Sequence, residues 1–130
     1  MHYAGCMTHK ADALKARTKQ FALDVLAFVG TLPREEPAPS IRRQLARAGT
    51  SVGANYRAAC RARSRVEFAA RIGLVLQEAD ESLFWLEIVE EGQLSAGDML
   101  NHLLAEAREL TAIFAASSIT TRAALGGDRR

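Results

Sequence analysis

Cysteine, proline, histidine and aromatic residues are all scarce in this chain. Its 130 residues include two cysteines, three prolines and three histidines, and only 6% are aromatic. The distant Cys6 and Cys60 do not make the framework of a disulfide-rich secreted domain. A reducing compartment fits them better, and we expect a cytoplasmic protein. The dispersed histidines form no set of metal ligands, so the sequence predicts no metal site and no other cofactor.

Long hydrophobic runs and catalytic motifs are missing as well. Charged residues interrupt every apolar stretch, which excludes a membrane span. There is no glycine-rich phosphate loop and no nucleophile elbow. Glu78 and Glu81 resemble a carboxylate pair, but the Glu-x-x-His motif of a di-metal bundle does not follow. These absences predict that the protein is not an enzyme.

Helix-forming residues make up most of what is present. Leucine, alanine, arginine and glutamate dominate, and apolar residues recur at spacings of three and four. Four helices are predicted, at about 11–32, 41–62, 65–91 and 96–120. Ser40, Ser64 and Ser95 are expected to cap the last three. The sequence therefore predicts an all-α protein, an antiparallel up-and-down four-helix bundle over 11–120. Residues 1–10 and 121–130 are predicted to be a flexible lead and a flexible tail.

Charge is strongly segregated along the chain. Residues 40–71 contain eight arginines and one glutamate, whereas residues 78–109 contain nine acids and one arginine. An arginine sector is predicted on the second helix and the turn after it, comprising Arg43, Arg47, Arg57, Arg61, Arg63 and Arg65. Guanidinium groups suit phosphate because their fork donates two hydrogen bonds in one plane. Aromatic residues do not interleave these arginines, so base stacking is not predicted.

The arginine sector has two readings. It is either an interface for RNA or DNA, or a face that is solvated or neutralised by the acids of a neighbouring copy. The second reading describes a protein-binding scaffold without affinity for nucleic acid. It predicts that assembly is sensitive to salt.

Small and apolar residues predict how the helices pack. Gly49 and Gly53 lie on one strip of the second helix, where a close approach by another helix would explain the cost of glycine. The third helix is apolar on two sides, and Trp85 lies on the second of them. This second side predicts an interface, either within the bundle or with another copy. Self-association is therefore expected.

Three polar residues are predicted to be buried. Ser51, Asn55 and Glu81 lie near the apolar faces of the second and third helices, and buried polar groups need partners. A bond from Glu81 to Asn55, Ser51 or an arginine would set the register between the two helices. We therefore expect a structural polar core.

A family resemblance rests on the second and third helices. The stretch from Ile41 to Leu45, the segment Ser51-Val52-Gly53-Ala54-Asn55-Tyr56, the Ser64-x-x-Glu67-Phe68 cap and Glu81 together carry it. They resemble the four-helix-bundle proteins encoded in intervening sequences of ribosomal RNA genes, which are related to the accessory proteins of diversity-generating retroelements. The resemblance implies a homopentamer. It also implies a basic surface for nucleic acid and for a reverse transcriptase or another protein partner.

A helix-turn-helix regulator is the remaining alternative. Leu45 to Tyr56 is similar to a repressor motif with its turn at Gly49. However, the apolar residues stay in phase across Gly49, which favours one uninterrupted helix.

Overall fold

The computed structural model describes residues 8–128, and within that range it contains four helices and no strand. They are α1 (His9–Val29), α2 (Ala38–Ala59), α3 (Arg65–Glu91) and α4 (Asp98–Asp128). Each helix packs on the next, and α1 touches α4 more lightly. The predicted all-α four-helix bundle is confirmed.

Backbone and capping groups set where the helices begin. The Ser64 hydroxyl accepts the Glu67 N–H at 3.1 Å, and the Glu67 carboxylate accepts the Arg63 N–H at 2.9 Å. This is a variant of the predicted capping box of α3, because Glu67 accepts the N–H of Arg63 and not that of the N-cap residue Ser64. Ser40, in contrast, is not a cap, because α2 begins earlier, at Ala38. Its hydroxyl donates to the Glu36 carboxylate instead.

The bounds of α4 also differ from the prediction. The helix begins at Asp98, because Gly97 has a φ of 117° and cannot belong to a helix. It continues to Asp128, eight residues beyond the predicted end at Thr120. Residues 1–7 and 129–130 lie outside the described range. The flexibility predicted for 1–10 and 121–130 stays a prediction.

Helix α2 is continuous through Gly49. Its backbone is helical from Ala38 to Ala59 without a turn or a bend. A helix-turn-helix needs a turn at this point, so the predicted alternative of a helix-turn-helix regulator is wrong. The uninterrupted phase of the apolar residues is the physical reason, because one face of α2 contacts the core along its whole length.

The core runs along the centre of the bundle and is made of aliphatic and aromatic side chains from all four helices. Tyr56 of α2 and Phe114 of α4 meet across it, with ring centroids 5.4 Å apart. The largest fully buried side chains include Phe21, Phe28, Leu45, Ile72, Leu86, Leu103 and Leu110. Burial of these residues is the main stabilising contribution to the fold.

Helices α1 and α2 approach closely at the two glycines of α2. A Cβ atom on Gly49 would lie 2.8 Å from Cγ1 of Val25, which is fully buried. A Cβ atom on Gly53 would lie 3.1 Å from the carbonyl oxygen of Thr18. The absence of a side chain at Gly49 and Gly53 therefore lets α1 and α2 pack closely.

Replacing Gly49 with alanine is expected to destabilise the bundle. Alanine adds about 1 kcal/mol of helix propensity, but overpacking of a core costs ~1–3 kcal/mol. Val25 is stiff and enclosed, so we expect the free energy of unfolding to fall by about 1 kcal/mol.

Gly73→Ala is the matched control for that substitution. Gly73 is also inside a helix, but the nearest atom to its added Cβ is Nη2 of Arg122, at 3.7 Å. We expect Gly73→Ala to stabilise the protein by up to about 1 kcal/mol. Urea denaturation of both variants measures the difference. Equal effects of the two substitutions would contradict the close approach at Gly49.

An ion-pair cluster joins α1 to α4, where the apolar contact is light. The Arg17 guanidinium donates to both carboxylate oxygens of Glu106, at 2.8 and 2.7 Å, and lies 3.0 Å from Glu109. This bidentate hydrogen bond lowers the pKa of Glu106 below its usual 4.5 and raises the pKa of Arg17.

Glu106→Gln should remove a pH-dependent part of the stability. Because the folded-state pKa of Glu106 is depressed, its contribution is fully present above 4.5 and is lost as the pH falls through the folded-state pKa. We expect the wild type to be more stable than Glu106→Gln at pH 7. The difference should shrink in acid.

Urea denaturation at pH 7 and at pH 3 to 4 measures the two free energies of unfolding. Asp80→Asn is the control, since Asp80 is exposed and has no ion pair within residues 8–128. A difference between wild type and Glu106→Gln that persists unchanged in acid would argue against the role of the Arg17 pair.

Candidate nucleic-acid interface

A basic groove lies between α1 and α2. It has a volume of about 920 Å³ and lies over the close contact at Gly53. Lys15 and Lys19 line it from α1, and Arg57 and Arg61 line it from the end of α2 and the turn that follows. The other lining residues are mostly small: Asp12, Ala16, Ala22, Thr50, Gly53, Ala54 and Cys60. We call this feature the α1–α2 groove.

Positive charge predominates in the α1–α2 groove. Four of its lining residues are cationic and one, Asp12, is acidic. Asp12 lies 3.3 Å from Lys15, in an exposed pair of the kind that contributes little energy. Within residues 8–128, Lys19, Arg57 and Arg61 form no ion pair. The groove therefore holds cations that no acid of the described residues neutralises.

A second hollow continues along the same two helices. It has a volume of about 390 Å³ and is lined by Val29 of α1 and by Arg42, Arg43 and neighbouring residues of α2. Arg43 and Arg57 are 14 residues apart, which corresponds to about 21 Å along a helix. Cations thus lie at both ends of the surface formed by α1 and α2.

The structure divides the predicted arginine sector. Arg57 and Arg61 line the α1–α2 groove, and Arg43 lies at the second hollow. Arg47 turns to the opposite side of α2, where it donates to Glu81 and lies 3.2 Å from a carboxylate oxygen of Glu78. Helical periodicity alone cannot separate these arginines, because all four lie within about 40° of one direction.

The last two predicted arginines lie away from the groove lining. Arg63 and Arg65 are exposed in the α2–α3 turn and at the start of α3. The structure therefore places three of the six predicted arginines beside α1, Arg47 beside the acids of α3, and the other two at the turn before α3 and at its start.

The lysines that form the other wall were not among the predicted site residues. Lys15 and Lys19 have a spacing of four residues, which places both on one side of α1. That spacing was a usable signal. The sequence did not show which side of α1 would lie beside α2, so the two lysines could not be joined to the arginines.

The predicted polar core lies at the edge of the bundle rather than inside it. Ser51, Asn55 and Glu81 are all half-buried, and the Glu81 side chain is 39% exposed. The Asn55 amide donates to the Ser51 carbonyl at 2.9 Å within α2. Glu81 bonds to an arginine, Arg47, which is one of the three partners expected for it.

Other polar residues occupy the interior. Thr18 and Ser82 are fully buried, and each hydroxyl donates to a backbone carbonyl one turn earlier, at 2.8 Å. Hydroxyl groups, and not the predicted Glu81 carboxylate, are buried for a simple physical reason. A short hydroxyl can be satisfied by its own helix, whereas a buried carboxylate needs a charged partner.

Helix α3 exposes an apolar strip on its outer side. Leu74 and Phe84 are 42% and 50% exposed, and Phe84 stacks edge-on against Trp85 with centroids 5.0 Å apart. The Trp85 Nε1 atom is buried and has no acceptor within residues 8–128. Although α3 has α2 and α4 as neighbours, neither covers this strip. We call it the outer strip of α3.

Residues 8–128 contain neither a metal-binding cluster nor a membrane-spanning helix. No group of three or more histidine, cysteine, aspartate or glutamate residues is arranged to hold a metal ion. No helix there combines the length and the apolar character needed to cross a bilayer.

The fold places this protein among the all-α four-helix bundles. The family described as 23S rRNA-intervening sequence proteins matches residues 13–123, and the chain belongs to that family. The chain is also similar to a protein from Bacteroides thetaiotaomicron, of the S23 ribosomal protein family and of unknown function, whose crystal structure was determined at 1.70 Å resolution.

That structure has 26% sequence identity to this chain and a TM-score of 0.73. The match covers 80% of this chain and 96% of the other. None of the curated proteins compared with this chain matches it. The family description and the solved relative thus establish kinship and fold, and neither names an activity.

Proposed function

We propose that this protein is a non-enzymatic, self-associating bundle that binds nucleic acid through the surface formed by α1 and α2. The observation that carries the proposal is the α1–α2 groove, with four cations and one acid among its lining residues. Phosphate contacts supply most of the affinity of proteins that bind nucleic acid without sequence preference. The expected partner is RNA or DNA.

The ion pairs within the chain support nucleic-acid binding, because the acids that the structure describes do not neutralise all of the arginines. Arg47 is already paired with Glu78 and Glu81 of its own chain. Arg57 and Arg61 have no acidic partner within residues 8–128. Their charges are therefore available to an external polyanion.

Neutralising the two groove arginines should weaken binding. We expect Arg57→Gln combined with Arg61→Gln to lower the affinity for RNA at least tenfold at moderate salt. The slope of log K against log salt should fall by about 1.4 to 1.8, because two phosphate contacts are lost. Fluorescence anisotropy with a labelled RNA, titrated at several salt concentrations, measures both quantities.

Arg47→Gln is the matched control, since it removes a charge from the same helix. Arg47 already has two acidic neighbours, so we expect a much smaller loss of affinity. Circular dichroism verifies that both variants are folded. If the double variant binds as tightly as the wild type, the proposal is wrong.

The outer strip of α3 is the proposed surface for self-association. Exposed apolar area of this kind favours contact with another copy. The family resemblance suggests five copies, with a mass about five times the 14.1 kDa of one chain.

Leu74→Gln combined with Phe84→Gln should reduce the assembly to a single chain. Both side chains are about half exposed, so the fold should tolerate the change. Met99→Gln with Ile119→Gln is the control, because both are exposed apolar residues of α4. Light scattering after size-exclusion chromatography reports the mass. Assembly that survives in the α3 variant, or is lost equally in the α4 variant, would contradict this assignment.

A protein-binding scaffold is the second candidate function. The favouring observation is that Asp80, Glu90 and Glu91 of α3 are exposed and form no ion pair within residues 8–128. In a scaffold, the acids of one copy would neutralise Arg57 and Arg61 of the next. Mass measured at low and high salt, with and without RNA, separates the candidates, since the scaffold predicts salt-sensitive assembly and no retained RNA. The resemblance to retroelement accessory proteins adds a reverse transcriptase as a candidate protein partner.

A further inference from the structure

We propose that the α1–α2 groove binds the backbone of one nucleic-acid strand and does not read its bases. This inference rests on the proposed function, because it specifies which form of nucleic acid the cationic surface accepts. It follows from three features: the shape of the groove, the arrangement of its cations and the chemistry of its floor.

The groove is a concave channel between two packed helices. Packed helices have axes ~8–10 Å apart, and here the glycine contact draws them together. The major groove of B-form DNA is ~12 Å wide and accepts a protruding helix or β-ribbon, and its minor groove is ~6 Å wide and accepts side chains. A concave channel cannot insert into either DNA groove, but it can hold the sugar-phosphate backbone of one strand.

The cations stand in two rows that face each other across the channel. Lys15 and Lys19 form one row, and Arg57 and Arg61 form the other. Lys15 and Lys19 are four positions apart on α1, or about 6 Å along the helix. Arg57 lies in the last turn of α2, and Arg61 lies in the turn that follows it. A strand lying in the channel is therefore contacted from both sides. In a duplex, only the outward side of one backbone would reach these rows.

The uncharged part of the lining offers few groups that distinguish bases. The lining contains no aromatic residue, and most of its uncharged members are alanine or glycine. The Thr50 hydroxyl donates to the Ala46 carbonyl at 2.7 Å, so its proton is already used. Phosphate contacts position a nucleic acid without reading its sequence. Binding should consequently show little base preference.

Salt dependence gives the expected number of contacts. For a single strand the slope of log K against log salt is about −0.7 per neutralised phosphate. Four groove cations therefore predict a slope of about −3. Replacing the two lysines should bring the slope to about −1.4 and lower the affinity at least tenfold.

The experiment compares four labelled oligonucleotides by fluorescence anisotropy with the full-length assembled protein. They are a single-stranded RNA, a single-stranded DNA of matched sequence, a single strand of different base composition, and the DNA duplex of the matched sequence. We expect all three single strands to bind within a few fold of one another. The duplex should bind at least tenfold more weakly.

Lys15→Gln combined with Lys19→Gln tests the second wall of the channel. Lys10→Gln combined with Arg34→Gln is the control, because it removes the same charge from residues that do not line the groove. Only the groove variant should lose affinity for single strands. Circular dichroism and light scattering verify that the fold and the assembly of both variants are unchanged.

Three results would overturn the inference, and they have different consequences. A duplex that binds as tightly as the single strands would refute the single-strand assignment and leave the proposed nucleic-acid function in place. Equal losses in the groove variant and the control would refute the channel. Absence of binding to any of the four oligonucleotides would refute the proposed function as well.

Discussion

The close contact between α1 and α2 is the constraint on which the remaining surface features depend. Gly49 and Gly53 of α2 let Val25 and the Thr18 backbone of α1 approach closely. This contact turns one side of α1 towards α2 and so sets Lys15 and Lys19 opposite the arginines of α2. With larger residues at the two glycines, the helices would separate and the two rows of cations would lose their common channel.

Charge pairing then decides which arginines remain available. The arginines on one face of α2 are chemically alike, but α1 packs against one side of α2 and α3 packs against the other. The acids of α3 neutralise Arg47, whereas the side towards α1 carries almost no acid. An arginine cluster that is uniform in sequence thus becomes two surfaces with different electrostatic character. On the α3 side the ion pair ties two helices together, and on the α1 side the field faces outward.

The two surfaces assigned to function do not share a residue. The α1–α2 groove is built from the first two helices, and the outer strip belongs to α3. Repetition of the groove in an assembly would multiply its phosphate contacts, which raises avidity without any new contact within one chain.

The sequence by itself determined the helical class, the number of helices, the capping box at Ser64 and the unbroken course of α2. These features depend on periodicity and local hydrogen bonds, which are set by residues close together in the sequence. Only the tertiary structure decided which side of α1 meets α2. It likewise decided that Glu81 pairs with Arg47 at the edge of the core. Such outcomes depend on the rotation of one packed helix against another, and that rotation is set by contacts between residues far apart in the chain.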